Sequence, residues 1–415
     1  MSAPAENPIR RILHGIELKL VVAWLIVVAL TAWADPAHLY WTKPDVTFPL
    51  IFENTLWLGF LAIGGGIVII SGGIDLSCGS VMVLAATVFA SLAAACEPMV
   101  CEATGTPFDP EVFSTATIVI AFAGMLLAAV MVGTLHAWLI NCLELPPFVA
   151  TLSTLVGLRS LGRGMSDAFF GSSEITFKDP NLADVLKGPW FYAPLFLVLA
   201  GALWFMLSGT VIGRRIYALG GNEQAARLSG IRVERLKWLA YVLSAVLASL
   251  VGLILFAKVN SVKPIETARG YELNAIAAAV IGGCSLQGGI GTIPGIFLGC
   301  LLLRTIIDAI TKVVRTGSDV YEGMIVGVVV VLAVTFTQRR NANRKKLFGD
   351  ALGWSVIPIH GLLGGLICYL FLRTRDGFEP WHAAAFGLFV IAALVGAAVW
   401  ESLPSKSGAA GKSTA

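Results

Sequence analysis

An acid inside an apolar run is the first residue of this sequence with chemistry to offer. Asp75 stands between Ile74 and Leu76 in the stretch Ile63–Ser80, IGGGIVIISGGIDLSCGS, and no other acid lies between Glu53 and Glu97. A carboxylate so placed costs about 2.5–3.5 kcal/mol at a membrane-helix centre and less near an interface. Donors, a cation or a water-filled path must offset that cost. Gly72-Gly73 before the acid and Gly79 after it let the backbone turn and approach a neighbour closely.

The pattern returns later. SGGIDLSCG (71–79) and IGGCSLQGG (281–289) align at a constant separation of 210 residues. Gly72, Gly73, Leu76 and Gly79 match Gly282, Gly283, Leu286 and Gly289; Asp75 corresponds to Ser285 and Ser77 to Gln287. Both copies interrupt apolar segments, and paired interruptions point to transporters built from internal repeats. The candidate gate or path is therefore Gly72, Gly73, Asp75, Ser77 and Gly79 with Gly282, Gly283, Ser285, Gln287 and Gly289. Its alternative is chance similarity between glycine-rich segments. The span count leaves the sense of the repeat, parallel or inverted, open.

Other polar residues inside apolar spans read more plainly. Arg159 and Arg163, four apart, either line a water-filled path or snorkel outward. Arg304 and Asp308 stand at i and i+4 and are expected to neutralise each other. His136, alone among small residues, reads as a packed side chain. There is no nucleophile–base–acid set, no HExxH, no dinucleotide fingerprint and no cysteine or histidine grouping with metal spacing. GKS at 411–413 lacks the glycine a phosphate loop requires. No catalytic residue, metal or cofactor is expected. Cys96 and Cys101 share a segment read as a polar loop, and either stay free or pair if that loop faces an oxidising compartment. Energy for uphill transport would come from an ion gradient or another subunit. Two membrane acids, Asp75 and Asp308, are few for a proton relay, which favours the second.

The elements positioning these residues are membrane helices. Of 415 residues, 57% are hydrophobic and 13% charged, about half the charge of a soluble domain. A net charge of +3 gives no reason to expect nucleic acid. Apolar spans read near 18–34, 50–70, 79–95, 114–140, 146–165, 191–210, 238–257, 273–283, 291–312, 320–337, 354–372 and 381–400. The eighth is too short to cross and reads as a broken or re-entrant segment, or as a helix extended by its neighbours. The fold class is all-α: a polytopic transmembrane helical protein with about ten core spans, two extra C-terminal spans and an internal repeat.

Basic clusters at Arg10–Lys19, Arg214–Lys237 and Arg339–Lys346 fall on one side of that count, and the acidic segment 96–113 on the other. The positive-inside rule makes the clustered side, with both termini, cytoplasmic. The expected organisation is a cytoplasmic leader (1–17), a transmembrane domain (18–337) carrying a cytoplasmic loop at 211–237, a basic loop (338–350), two further helices (351–400) and a disordered tail (401–415). Within the loop, good helix formers run from Glu223 to Leu228, and Gly230 is a natural stop. By composition it reads as a connector or as a surface helix for a soluble partner.

Four blocks in order, SGGIDLSCGSVMVLAA, PFVATLSTLVGLRSLGRG (147–164), IGRRIYALGGNEQAARLSGI (212–231) and YELNAIAAAVIGGCSLQGGIGTIPG (271–295), closely resemble permease subunits of bacterial ABC importers for simple sugars of the ribose, xylose and galactose type. The resemblance covers residues 50–337. It implies an inner-membrane permease without enzyme activity, importing a pentose or hexose such as xylose or ribose. The implied partners are a second permease copy or paralogue, a cytoplasmic ATPase with tandem nucleotide-binding domains, and a periplasmic sugar-binding protein. Glu223, Ala225, Ala226, Arg227 and Gly230 fit the E-x-A-A-x-x-x-G loop by which such permeases dock on their ATPase, making 222–229 the coupling helix. The chain departs from shorter members in the spans at 354–400 and in Cys78 and Cys284. An ion-coupled carrier, an ABC permease for a non-sugar solute, and a membrane-embedded enzyme or scaffold are the alternatives.

Overall fold

The computed structural model describes residues 16–109, 112–176 and 179–314, with only scattered positions beyond. Its helices are α1 (Ile16–Ala34), α2 (Leu39–Thr42), α3 (Pro44–Ile70), α4 (Cys78–Thr104), α5 (Thr115–Asn141) and α6 (Pro147–Phe170), then α7 (Pro180–Lys187), α8 (Pro189–Gly209), α9 (Val211–Gly221), α10 (Glu223–Leu228), α11 (Val233–Val259), α12 (Tyr271–Ile281) and α13 (Ile293–Val314). Two short strands, β1 (Ile175–Thr176) and β2 (Ser261–Val262), pair antiparallel, Ile175 opposite Val262. All belong to the first of two compact units, 1–337 and 338–415. The spans expected at 320–337, 354–372 and 381–400 lie outside the described residues except for scattered helical positions.

Local sequence starts and stops these helices by familiar means. Pro44, Pro147, Pro180 and Pro189 occupy first helical positions, where a missing N–H costs nothing. Ser114, Asp179 and Thr210 cap α5, α7 and α9, each accepting from a backbone N–H three residues on. Gly105 and Gly171, at φ +68° and +60°, end α4 and α6.

Among the described residues, seven helices are long and apolar enough to cross a membrane, and burial separates the inner ones from the outer ones. Of the apolar stretches, 89% of α3 and 78% of both α4 and α11 are buried, against 17% of α1, 28% of α5 and 22% of α8. The centre is thus α3 and α4 flanking α11, and the others turn apolar faces outward, as lipid solvation allows. Small residues permit the close approach: a Cβ on Gly133 would meet Val242 Cα, and one on Gly252 would meet the Met82 backbone. At one end, Lys258 of α11 pairs with Glu53 of α3 and lies 4.5 Å over the Trp57 ring. Nearer the other end, Gly64 of α3 packs on Ser244. α3 and α11 therefore run antiparallel.

The structure corrects several expectations. The segment 96–113 is not all loop: α4 runs through Pro98 to Thr104, because MVCEAT holds no stop signal before Gly105. Cys96 and Cys101 thus lie five apart on one helix, both as free thiols, and Cys101 Sγ donates to Glu97 Oε1 (3.2 Å). Glu97 Oε2 accepts from Ser114 N and Oγ at 2.9 and 3.0 Å, tying α4 to the start of α5. Asp308 is held by Lys312 Nζ and Tyr40 Oη, both at 2.8 Å, while the Arg304 guanidinium lies 5.6 Å over Tyr271. Lys312 stands at the same i,i+4 spacing from this acid on its other side.

Candidate functional site

Each repeat begins as a helix that ends on a left-handed glycine. At the end of α3, Gly72 N and Gly73 N donate to Ile69 O and Val68 O, both at 2.9 Å, with Gly72 at φ +89°. At the end of α12, Gly283 N and Cys284 N donate to Val280 O and Ala279 O at 3.0 and 2.9 Å, with Gly283 at φ +93°. These are matching Schellman-type ends. They equate Gly72 with Gly283, one residue away from the sequence alignment, which equated Gly72 with Gly282. The polar turns that follow keep the original spacing: Asp75 Oδ1 accepts from Ser77 N (2.8 Å), and Ser285 Oγ from Gln287 N (3.3 Å). The second copy is one residue shorter between helix end and turn.

Asp75 is 2% exposed and satisfied within the protein. Oδ1 also accepts from Ser77 Oγ (2.6 Å), and Oδ2 accepts from Ser244 Oγ (2.6 Å) on α11. The acid closes its own turn with one oxygen and fixes the turn to the central helix with the other. The neighbouring Ile74 carbonyl accepts from Thr151 Oγ1 of α6 at 3.2 Å. The break is level with Tyr241 and Ser244, which stand eight and eleven residues into α11. At 1.5 Å per residue that is about 12–16 Å inside the end of that helix.

The second break follows a helix of only 11 residues, about 16 Å long, half of what a crossing needs. The non-helical chain ahead of α12 is held by Arg159 of α6, which is 7% exposed. Its guanidinium donates to Thr267 O (2.8 Å), Ala268 O (3.0 Å) and Pro264 O (3.4 Å). Irregular backbone inside a membrane protein survives only where such donors meet it. Arg159 is thus neither in a water path nor snorkelling, whereas Arg163 reaches outward to Asp167 (2.9 Å). Gly79 lies against this loop, and a Cβ there would come within 2.8 Å of Ala268 O.

The breaks meet. Gly289 N of the second donates to Ile70 O, the last residue of α3, at 2.9 Å. α13 runs back along both α3 and α12: Ile296 lies by Gly66, Phe297 is 6.4 Å from Phe52, and Gly295 packs on Gly282. α3 and α12 are antiparallel to the same helix, so the two copies are parallel. Ser244, Tyr241 and the carbonyl-binding role of Arg159 carry no spacing signal in the sequence. Their partners are 105 to 169 residues away, so only the fold reveals them. His136 is packed as expected, fully buried, with Nε2 2.7 Å from Thr154 Oγ1.

In the loop 211–237, α10 is capped at both ends. Asn222 Oδ1 accepts from Ala225 N (3.0 Å), and Gly230, at φ +78°, donates to Arg227 O (3.0 Å). Ala226 faces inward at 4% exposure, while Leu228 is 90% exposed. Arg227 bonds Glu234 (2.5 Å) and Glu223 (3.4 Å), and Lys237 bonds Glu223 (2.9 Å). The carboxylate of Glu234, and then that of Glu223, hold the Arg227 guanidinium above its ordinary value. A cavity of about 400 Å³ is lined both by residues of the first break, Ser71, Gly72 and Gly73, and by those of this ionic lattice, Glu223, Arg227, Glu234 and Lys237. Among the described residues, no group of three or more His, Cys, Asp and Glu is placed to hold a metal ion.

Residues 51–334 match the family described as branched-chain amino acid transport system / permease component. The ribose import permease of Escherichia coli K12 is 32% identical over 78% of this chain and 94% of its own length. That of Bacillus subtilis is 32% identical over 68% and 82%, and the autoinducer-2 import system permease of Enterobacter sp. is 31% identical over 81% and 92%. No solved structure matches the chain. The matched region takes in both breaks and α10, and on these likenesses the chain belongs to the family of transport-system permease components.

Proposed function

We propose that this chain is the membrane subunit of an ATP-driven, binding-protein-dependent importer of a simple sugar, a pentose or hexose, in the bacterial inner membrane with both termini cytoplasmic. α10 docks on a cytoplasmic ATPase with tandem nucleotide-binding domains. A periplasmic protein delivers the sugar, and a second copy or paralogue completes the channel. The breaks at 72–80 and 282–290 form the gate, and the sugar passes near them through the dimer centre. The chain itself does no catalysis; ATP hydrolysis belongs to the partner.

The observation that carries this reading is α10: a short, doubly capped helix with an exposed leucine, in a basic loop, close to two joined breaks. A connector has no need of such definition. Docking on an ATPase would move α10 as a rigid body, and rigid-body motion around a central site is how such transporters alternate access. The names of the relatives support the sugar.

The test is uptake by proteoliposomes holding the chain with its co-purified ATPase and binding protein, using labelled ribose, xylose, galactose and leucine in parallel. ATP-dependent uptake of at least one sugar, insensitive to a proton ionophore, is expected. Uptake abolished by the ionophore while ATP is maintained, or uptake of leucine alone, overturns the reading.

A further inference from the structure

α9 leads into α10 through a single residue, Asn222. Its last residues, Gly220 and Gly221, sit where the two breaks meet. A Cβ on Gly220 would run into Ile70 O and would lie 2.5 Å from Gly289 N, the acceptor and donor of the bond joining the breaks. A Cβ on Gly288 would lie 2.6 Å from Gly220 O, and one on Gly72 3.6 Å from Gly220 Cα. One turn back, Tyr217 Oη donates to Gly291 O at 2.7 Å. Three segments therefore touch backbone to backbone.

We infer that Gly220, anchored by Tyr217, is the positioning point through which displacement of α10 reaches both breaks together. This rests on the reading of α10 as the docking helix. A side-chain contact can absorb a shift by changing rotamer; a close-packed contact of bare backbone has no such freedom and passes the shift on. Because Gly289 N is bonded to Ile70 O, moving one break moves the other. Neither residue need touch the solute.

The experiment compares Gly220→Ala and Tyr217→Phe with Gly221→Ala, whose added Cβ meets nothing within 4 Å. Each variant is assembled with the ATPase and binding protein in proteoliposomes, and ATPase co-purification, ATP hydrolysis and solute uptake are measured. Gly220→Ala is expected to keep its ATPase and to hydrolyse ATP within about twofold of the parent, while uptake per ATP falls about tenfold. Tyr217→Phe should shift the same ratio less, and Gly221→Ala should match the parent. A parental ratio in Gly220→Ala, loss of its ATPase, or equal damage in Gly221→Ala overturns the inference. If Gly220→Ala does not fold, Tyr217→Phe decides, and an unchanged ratio there overturns it. A parent lacking ATP-dependent uptake overturns the functional reading beneath it, a separate result from any of these.

Discussion

Asp75 holds three hydrogen bonds, from Ser77 N, Ser77 Oγ and Ser244 Oγ, and nearly no exposure. Its removal leaves those donors buried and unmatched. Asp75→Ala should destabilise the chain by about 2–4 kcal/mol, and Ser244→Ala, which frees one carboxylate oxygen, by about 1–2. Thermal unfolding in detergent would check both, and equal melting of Asp75→Ala and parent would count against the structural role. Asp75→Asn keeps an acceptor for Ser77 and should assemble normally, with transport impaired only if the turn itself moves. The thiols give an independent check on the corrected helix α4. Cys142 is exposed and should react with a maleimide at once, while buried Cys78, Cys101, Cys284 and Cys300 should react only after denaturation, with no Cys96–Cys101 disulfide under non-reducing mass analysis. The acid and its turn are legible in the sequence because every determinant lies within a few residues. Ser244 is not: a serine in an apolar helix looks the same whether or not it reaches a carboxylate 169 positions away.

At the scale of the element, α10 is the part most fully read in advance. Asn222, the helix formers and Gly230 are neighbours in the chain, and local capping rules govern a helix whose length is set by its caps. The docking role proposed for it can be tested at one residue. Leu228→Glu should leave the fold intact, since the side chain is 90% exposed, and lower ATPase co-purification by about tenfold, as loss of an apolar anchor does. Ala226→Trp forces bulk into a site of 4% exposure and should weaken co-purification by displacing the helix. Full recovery of the ATPase with both variants would remove α10 from the docking role. Boundaries fared worse where polarity and helix end do not coincide: the apolar span was read to end at 95, but α4 runs on through Pro98 to Thr104. The one-residue shift between the repeats was equally hidden, because a glycine pair offers two places for a left-handed cap and only packing chooses.

The whole molecule depends on α11, which touches both halves of the first repeat and takes its neighbours through glycine. Gly252→Leu would drive a side chain into the Met82 backbone, at a cost of about 3 kcal/mol or more, and should be seen as loss of the monodisperse species in size exclusion. The order of synthesis adds a demand of its own. Arg159 enters the membrane on α6, while the carbonyls that it grips lie 105 to 109 residues downstream. At about 5–20 residues per second, the ribosome needs about 5–20 s to supply them. During that interval a bare guanidinium must be sheltered by water, lipid phosphate or an insertion chaperone. Synthesis of this chain thus leaves one arginine without its partners until the second half of the chain has been made.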